Sequence, residues 1–512
     1  MAASSSTTKK ISPLDNILNE FKRLYNSSSE QLINATPPKE MWRYFIDYPA
    51  NEGWQKVAAG KAEELPELMR KNGWLKFTEP NYLVALGRSF HMVMTESMDH
   101  SAVNFVEVLS ELLVSLQKVA THKVLQNKTG FCDFPLMRYG LTDVRNTTRE
   151  GFNELLEDVK NDLERYIFLT QGDEDDPINR VCLAGTDKHI IEMVKDSYRA
   201  TLQDISNISD DEIKRIYDKY VASHSEEFAA AAVTLTIPYS NNKKTISEIK
   251  REKIANYALK YQHDIITAAT MADKLTAIAN FTAQIVRYHS FKDGNARSKA
   301  ILLLNFLLKI NGFPPAIINP NFSGGYSFKQ WEAEILDGMG RALDLAKNHT
   351  LPCIPTDKIL EYATLEEKSS FEESVNIEKI GRELRQLSNC FQETKDPIYS
   401  AGLSTIKKEL EKLMYEGNIN KKNSSFIMRT LNEIFAINKQ TLKEKEKLEL
   451  IRILLINEIT PPSPEAVSPL LKSSITREFA ITDPKLLGAY LEILRTLLPA
   501  PTLSPRATGR RD

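Results

Sequence analysis

Nine consecutive positions hold most of the chain's reactive chemistry: His289-Ser290-Phe291-Lys292-Asp293-Gly294-Asn295-Ala296-Arg297. His289, with an ordinary pKa of about 6.5, can accept a proton from an attacking hydroxyl at neutral pH. Asp293 is a hard oxygen ligand suited to magnesium, an ion commonly shared with substrate phosphates. If a helix begins near Ala296, its first turn offers unbonded backbone N–H groups at the positive end of the helix dipole, which together form an anion site. Arg297 adds a planar donor fork for phosphate oxygens. A base, a metal ligand and a phosphate cradle describe transfer of a phosphate-containing group to an alcohol.

The elements around this stretch are set up to hold it. Leu275, Ile278, Phe281 and Ile285 recur at helical spacing and predict a helix that delivers His289 at its end. The almost wholly apolar run 300–310 predicts a central buried helix, closed by Asn311-Gly312 as a left-handed cap and by Pro314-Pro315. Taken singly, each residue has a bland explanation: a histidine at a helix end is usually a cap, and Gly-Asn is usually a turn. Their order, with a buried helix directly behind, favours the functional reading.

The same residues resemble the Fic family, whose motif is H-x-F-x-[D/E]-G-N-G-R-x-x-R on a loop between two helices. This chain reads His289-x-Phe291-x-Asp293-Gly294-Asn295-Ala296-Arg297-x-x-Ala300. The resemblance covers roughly residues 220–350. It implies an all-α, Fic-type helical core and an enzyme that uses ATP or another nucleotide donor, with Mg2+, to modify a Ser, Thr or Tyr hydroxyl of a target protein, AMP being the foremost group. It further implies His289 as general base, Phe291 as the buried anchor of the loop and Asp293 as the magnesium ligand. Gly294, Asn295 and Ala296 would line the anion hole, and Arg297 would bind the nucleotide phosphates. The strand signal at 233–237 and the turn residues after it are expected to form the family's small β-hairpin flap, which pairs with a target segment by strand addition.

Two departures bear on the donor: Ala296 replaces the second motif glycine, and Ala300 replaces the final arginine. Lys299 is adjacent to the second of these, but one position round a helix is a rotation of about 100°, which makes it a poor substitute. Members lacking that arginine resemble a phosphate-transferring branch, and others transfer phosphocholine, so both chemistries stay open beside AMP transfer. So does a catalytically inactive Fic scaffold that serves as a binding module, or a helical interaction protein with a fortuitous motif. The family's inhibitory helix has no full match. Ser374-Val375-Asn376-Ile377-Glu378-Lys379 comes nearest and lacks its arginine partner. The build resembles bacterial effectors delivered into host cells, with a host GTPase among the protein substrates to be considered.

Composition narrows the remaining classes. A formal net charge of -2 gives no reason to expect nucleic-acid binding or attraction to a membrane surface. The four cysteines are scattered and form no C-x-x-C pair, so neither a zinc site nor a disulfide framework is expected. No transmembrane run or cleaved signal peptide is evident, which points to the cytoplasm or to export into a host cell without a cleaved signal.

At 512 residues more than one domain is expected. The expected parts are an N-terminal helical region (1–175), a Fic-like core (176–355, with its motif at 289–300), a C-terminal helical region (356–498) and a disordered Pro-rich, basic tail (499–512). Ser12-Pro13 should open the first helix, Trp42, Trp54 and Trp74 read as core aromatics, 131–140 reads as irregular and 150–170 as helix. The acidic run 172–176 reads as a solvated loop, and Ser209-Asp210-Asp211-Glu212 as a capping box. Charged amphipathic helices are expected near 374–392, 400–415, 424–437 and 441–458.

Overall fold

The computed structural model describes residues 12–45, 81–122, 246–288, 290–318, 322–351, 355–394, 396–416 and 421–459, with shorter stretches between 124 and 238 and position 493. The Trp54 and Trp74 segments, the acidic run, the Ser209 capping box, the turn at 239–242 and the C-terminal tail lie outside those residues. The chain divides into two units, Met1–Phe371 and Glu372–Asp512.

In the first unit, helix α1 (Pro13–Tyr25) starts where the sequence predicts. Ser12 Oγ accepts the Asp15 N–H, Pro13 occupies the first turn, and Asn26 ends the helix in the left-handed region at φ 51°. Helix α2 (Ser29–Ala35) and a 3₁₀ turn (Pro38–Tyr44) follow. Trp42 is buried there, and its indole N–H donates to Thr356 Oγ1 at 3.0 Å. Helices α3 (Tyr82–Thr95) and α4 (Phe105–Ala120) then pack on each other.

Four short strands come next: β1 (Leu136–Gly140), β2 (Tyr166–Leu169), β3 (Cys182–Leu183) and β4 (Val233–Pro238). They overturn the expected β-hairpin flap. The described residues are predominantly helical, but none of them forms that flap. Val233–Pro238 is an inner strand in the antiparallel order β1-β4-β2-β3, with Gly140 opposite Thr234 on one edge and Leu169 opposite Val233 on the other. An isolated two-stranded hairpin is marginal in water, whereas a strand paired on both edges satisfies its backbone groups. With both edges taken, β4 has no edge to offer a target strand. The same pairing places strand at 136–140, read from sequence as irregular, and at 166–169, read as helix.

Helices α5 (Ile246–Thr267) and α6 (Met271–Arg287) lead to the candidate site. A capping box opens α6: Thr270 Oγ1 accepts the Asp273 N–H, and the Asp273 carboxylate accepts the Thr270 N–H. Leu275, Ile278, Phe281 and Ile285 are all buried, as their spacing predicts. After the loop comes a π-helix (Ala296–Leu303) that continues as α7 (Leu304–Ile310), and every residue from Arg297 to Leu308 is buried. This is the central rod of the unit. Gly312, at φ +79°, closes it, and the Phe313 N–H returns to Leu308 O at 2.9 Å. A short turn of helix α8 (Phe322–Gly325) precedes α9 (Phe328–Asn348), which packs on α6. Trp331 of α9 is fully buried and donates to Thr282 Oγ1 of α6 at 3.0 Å.

Helices α10 (Thr356–Tyr362) and α11 (Leu365–Glu393) follow, and the division between the units falls within α11, after Phe371. There α12 (Pro397–Glu416), α13 (Lys421–Asn438) and α14 (Glu444–Ile459) form a helical module, with Leu403, Ile406, Ile427, Leu431, Ile434 and Ile451 among its buried residues.

Candidate active site

The end of α6 is fixed by Arg287. Its buried guanidinium stacks 4.5 Å from the Phe328 ring centroid, and Nη2 donates to Tyr326 O at 2.7 Å. The chain leaves the helix at Tyr288, whose φ and ψ are -76° and 79°. His289 lies outside the described residues, and its neighbours Tyr288 and Ser290 are both buried.

From Phe291 to Asn295 the loop is closed by one side chain. Asn295 Oδ1 accepts the Phe291 N–H at 3.1 Å, and Asn295 Nδ2 donates to Phe291 O at 2.9 Å. Asn295 thus satisfies both backbone groups of a residue whose ring is fully buried. Gly294 makes the turn possible. Its φ is +73°, and a Cβ there would lie 2.7 Å from Thr121 Cγ2.

Three upstream residues hold the loop from outside. Gln117 of α4 donates to Asp293 O at 3.0 Å and accepts the Gly130 N–H at 3.1 Å. The Lys292 N–H donates to Gly130 O at 3.1 Å, and Phe131 pairs with Phe291 as an isolated antiparallel bridge with ring centroids 5.3 Å apart. Sequence reasoning missed Gln117. Its signal was a polar residue on the face that buries Leu109, Leu113, Leu116 and Ala120.

Behind the turn, the helix begins in π geometry, an arrangement frequently found at functional sites. Ser298 helps seat it: its N–H and Oγ both donate to Gly294 O, at 2.9 and 2.7 Å. Arg297 turns inward, 5% exposed, with its guanidinium 4.8 Å from the Tyr82 ring centroid. Ala300 is fully buried, so an arginine there would have to enter the core. Ala296 is partly exposed. Lys299 does not stand in for the motif's final arginine. It is fully buried and donates to Tyr288 O at 2.7 Å, with Nζ 5.0 Å from the Phe291 ring centroid. Burial, and secondarily the charge of Lys250, holds its pKa well below the usual lysine range.

The loop therefore brings Phe291, Asp293, Gly294 and Asn295 together, with the partly exposed Ala296 at the start of the helix. Arg297 instead packs its charge against an aromatic face. Asp293 is also partly exposed, and its Oδ1 accepts the Gly294 N–H at 2.6 Å. No cluster of three metal-ligating side chains occurs among the described residues. A magnesium ion that keeps its waters and takes phosphate oxygens needs only one or two carboxylates, and the partly exposed Asp293 carboxylate is of that kind. Glu378, the nearest match to an inhibitory glutamate, is bonded within the second unit to Arg382 Nε at 2.9 Å and Arg385 Nη2 at 3.0 Å.

Among the described residues no helix is long and apolar enough to cross a membrane. No protein-family model matches the chain and no curated protein matches it, so the Fic resemblance rests on the motif residues and their surroundings alone.

Proposed function

We propose that this chain is a Fic-type transferase that moves a nucleotide-derived phosphate group, AMP from ATP foremost, onto a Ser, Thr or Tyr hydroxyl of another protein. The observation that supports it is the Asn295 clasp on Phe291, which rigidifies a short loop directly in front of a helix N-terminus. The buried anchor's N–H and C=O need partners in any case; here both come from the residue that opens the helix, so the turn is fixed directly before its first amides. Held this way, the first-turn amides stay aimed at one place, and an anion arriving there requires no reorganisation of the protein.

In the proposed reaction the target hydroxyl oxygen forms a bond to the α-phosphorus as the bond to the departing pyrophosphate breaks, and His289 takes the hydroxyl proton. Asp293 would hold a magnesium ion, which when bound neutralises phosphate charge. Gly294, Asn295 and Ala296 position the phosphate, and Phe291 anchors the loop that carries them. Arg297, stacked on Tyr82, contributes its charge from behind the first helical turn.

A second reading, a binding module without catalysis, is favoured by the inward packing of Arg297 and the burial of Ala300, which leave the donor phosphates fewer side-chain cations. One experiment separates the two. The protein is incubated with a cell lysate and ATP, other nucleoside triphosphates or CDP-choline in parallel, and the mass added to any modified protein is read. The expected result is an AMP adduct on a hydroxyl residue that disappears with His289→Ala. No added mass with any donor would favour the binding-module reading instead.

A further inference from the structure

A groove of about 660 Å³ runs between α4 and α5. Its apolar lining includes Val103, Val106, Val114, Ile254 and Ala255, with Val103 fully exposed. The two helices lie side by side, tied near the start of α4 by Gln262 Nε2, which donates to His100 O at 2.7 Å. The lining stretch of α4 from Val106 to Val114 is about two helical turns, or roughly 12 Å.

The lining charges have one dominant sign. Among the described lining residues, Glu107 and Glu111 on α4, and Glu248 and Glu252 on α5, stand against a single cation, Arg251, whose guanidinium lies 5.4 Å from the Phe131 ring centroid. Glu107 and Glu111, both exposed on α4, have i,i+4 spacing, which is unfavourable for like charges on one helix and does nothing for the packing beneath. A cationic partner laid along that wall would turn the repulsion into attraction.

The position of the groove matters as much as its charge. Phe131 lines it and also pairs, ring and backbone, with Phe291 of the candidate active loop. An occupant is thus one residue away from the loop anchor. We propose that this groove docks a basic amphipathic helix of the protein substrate, with apolar anchors on the valines and Lys or Arg toward the glutamates. The proposal rests on the transferase reading for the partner's role and on the groove alone for the partner's chemistry. It also supplies a target contact that the corrected sheet, with both edges of β4 occupied, does not provide.

The test uses the full chain and a fluorescein-labelled 16-residue helical peptide with Leu at i, i+3, i+4 and i+7 flanked by Lys and Arg. A twin peptide carries Glu and Asp in place of the cations. Anisotropy titrations are expected to show the basic peptide binding at least tenfold more tightly than its twin. Glu107→Lys with Glu111→Lys, both exposed positions, should weaken the basic peptide at least tenfold, and His289→Ala should leave its binding unchanged. In the lysate assay the double variant should raise KM for the modified protein with kcat retained. Equal binding of the two peptides, or indifference to the double variant, overturns the proposal. So does self-association through the groove, seen as a dimer that Val106→Asp dissolves. Peptide binding as expected but no labelling with any donor supports the groove and overturns the enzyme reading alone. Labelling that ignores the double variant does the reverse.

Discussion

Asn295→Ala tests the clasp directly, and its cost follows from two bonds. The substitution removes the acceptor of the Phe291 N–H and the donor to Phe291 O, at 3.1 and 2.9 Å. Phe291 is fully buried and Asn295 is 4% exposed, so neither backbone group finds bulk water at once. A buried group left unpaired costs about 1–3 kcal/mol, and a water entering the vacated space recovers part of that, so the expected loss is about 2–4 kcal/mol. No capping contribution is added, because Asn295 makes no side-chain cap bond to the helix that follows. Urea unfolding followed by tryptophan fluorescence suits the measurement. All four tryptophans, Trp42, Trp54, Trp74 and Trp331, lie within Met1–Phe371, so the signal reports that unit alone. Hydrogen exchange should show the Phe291 amide losing protection while amides of α9 keep theirs. A variant within about 0.5 kcal/mol of the parent, with the Phe291 amide still protected, would refute the clasp.

Gly294→Ala should cost about 1–2 kcal/mol for a left-handed non-glycine, plus a clash with Thr121. Adding Thr121→Ser should recover only the clash, a non-additivity read from a double-mutant cycle by urea midpoint. Leu304→Ala, at a fully buried position in the central rod, should cost about 2–5 kcal/mol in the same assay. Lys299→Met should change how stability depends on pH. Because the folded-state pKa of Lys299 is depressed, the folded state binds fewer protons than the unfolded state between that value and the ordinary lysine pKa, so parental stability rises with pH across that window. The parent should therefore gain on Lys299→Met as pH rises above that depressed value toward about pH 10, where the unfolded lysine also loses its proton. A constant difference in urea midpoint across that range would contradict the burial argument.

The parts legible in the sequence were those written in local pattern. The Ser12-Pro13 start, the buried stripe of α6, the apolar rod ending at Asn311-Gly312 and the helices beyond residue 365 all follow from caps and 3.6-residue periodicity. What stayed hidden was decided by residues distant in sequence. Arg297 reads as a donor fork for phosphate, and nothing in the motif announces the Tyr82 ring against which its guanidinium packs. Position 299 reads as a cation one step off the motif until the carbonyl of Tyr288 accepts its hydrogen bond. The strand at 233–238 carries no mark of which upstream segments will pair with it, and 166–169 reads as helix until β4 and β3 pair with it on either side. Local chemistry names the loop residues. Their orientations come from the packing around them.

Gln117 carries one more consequence, for anyone moving this motif elsewhere. Its amide joins the carbonyl of Asp293 to the N–H of Gly130, while Gly130 O takes the Lys292 N–H and Phe131 lies against Phe291. The twelve letters from His289 to Ala300 are therefore not a portable cassette. A fragment beginning after residue 131, or a graft of 289–300 onto another pair of helices, would carry every motif residue and none of its outer fastening. Such a transplant should be judged first by whether its loop is ordered, and only then by whether it reacts.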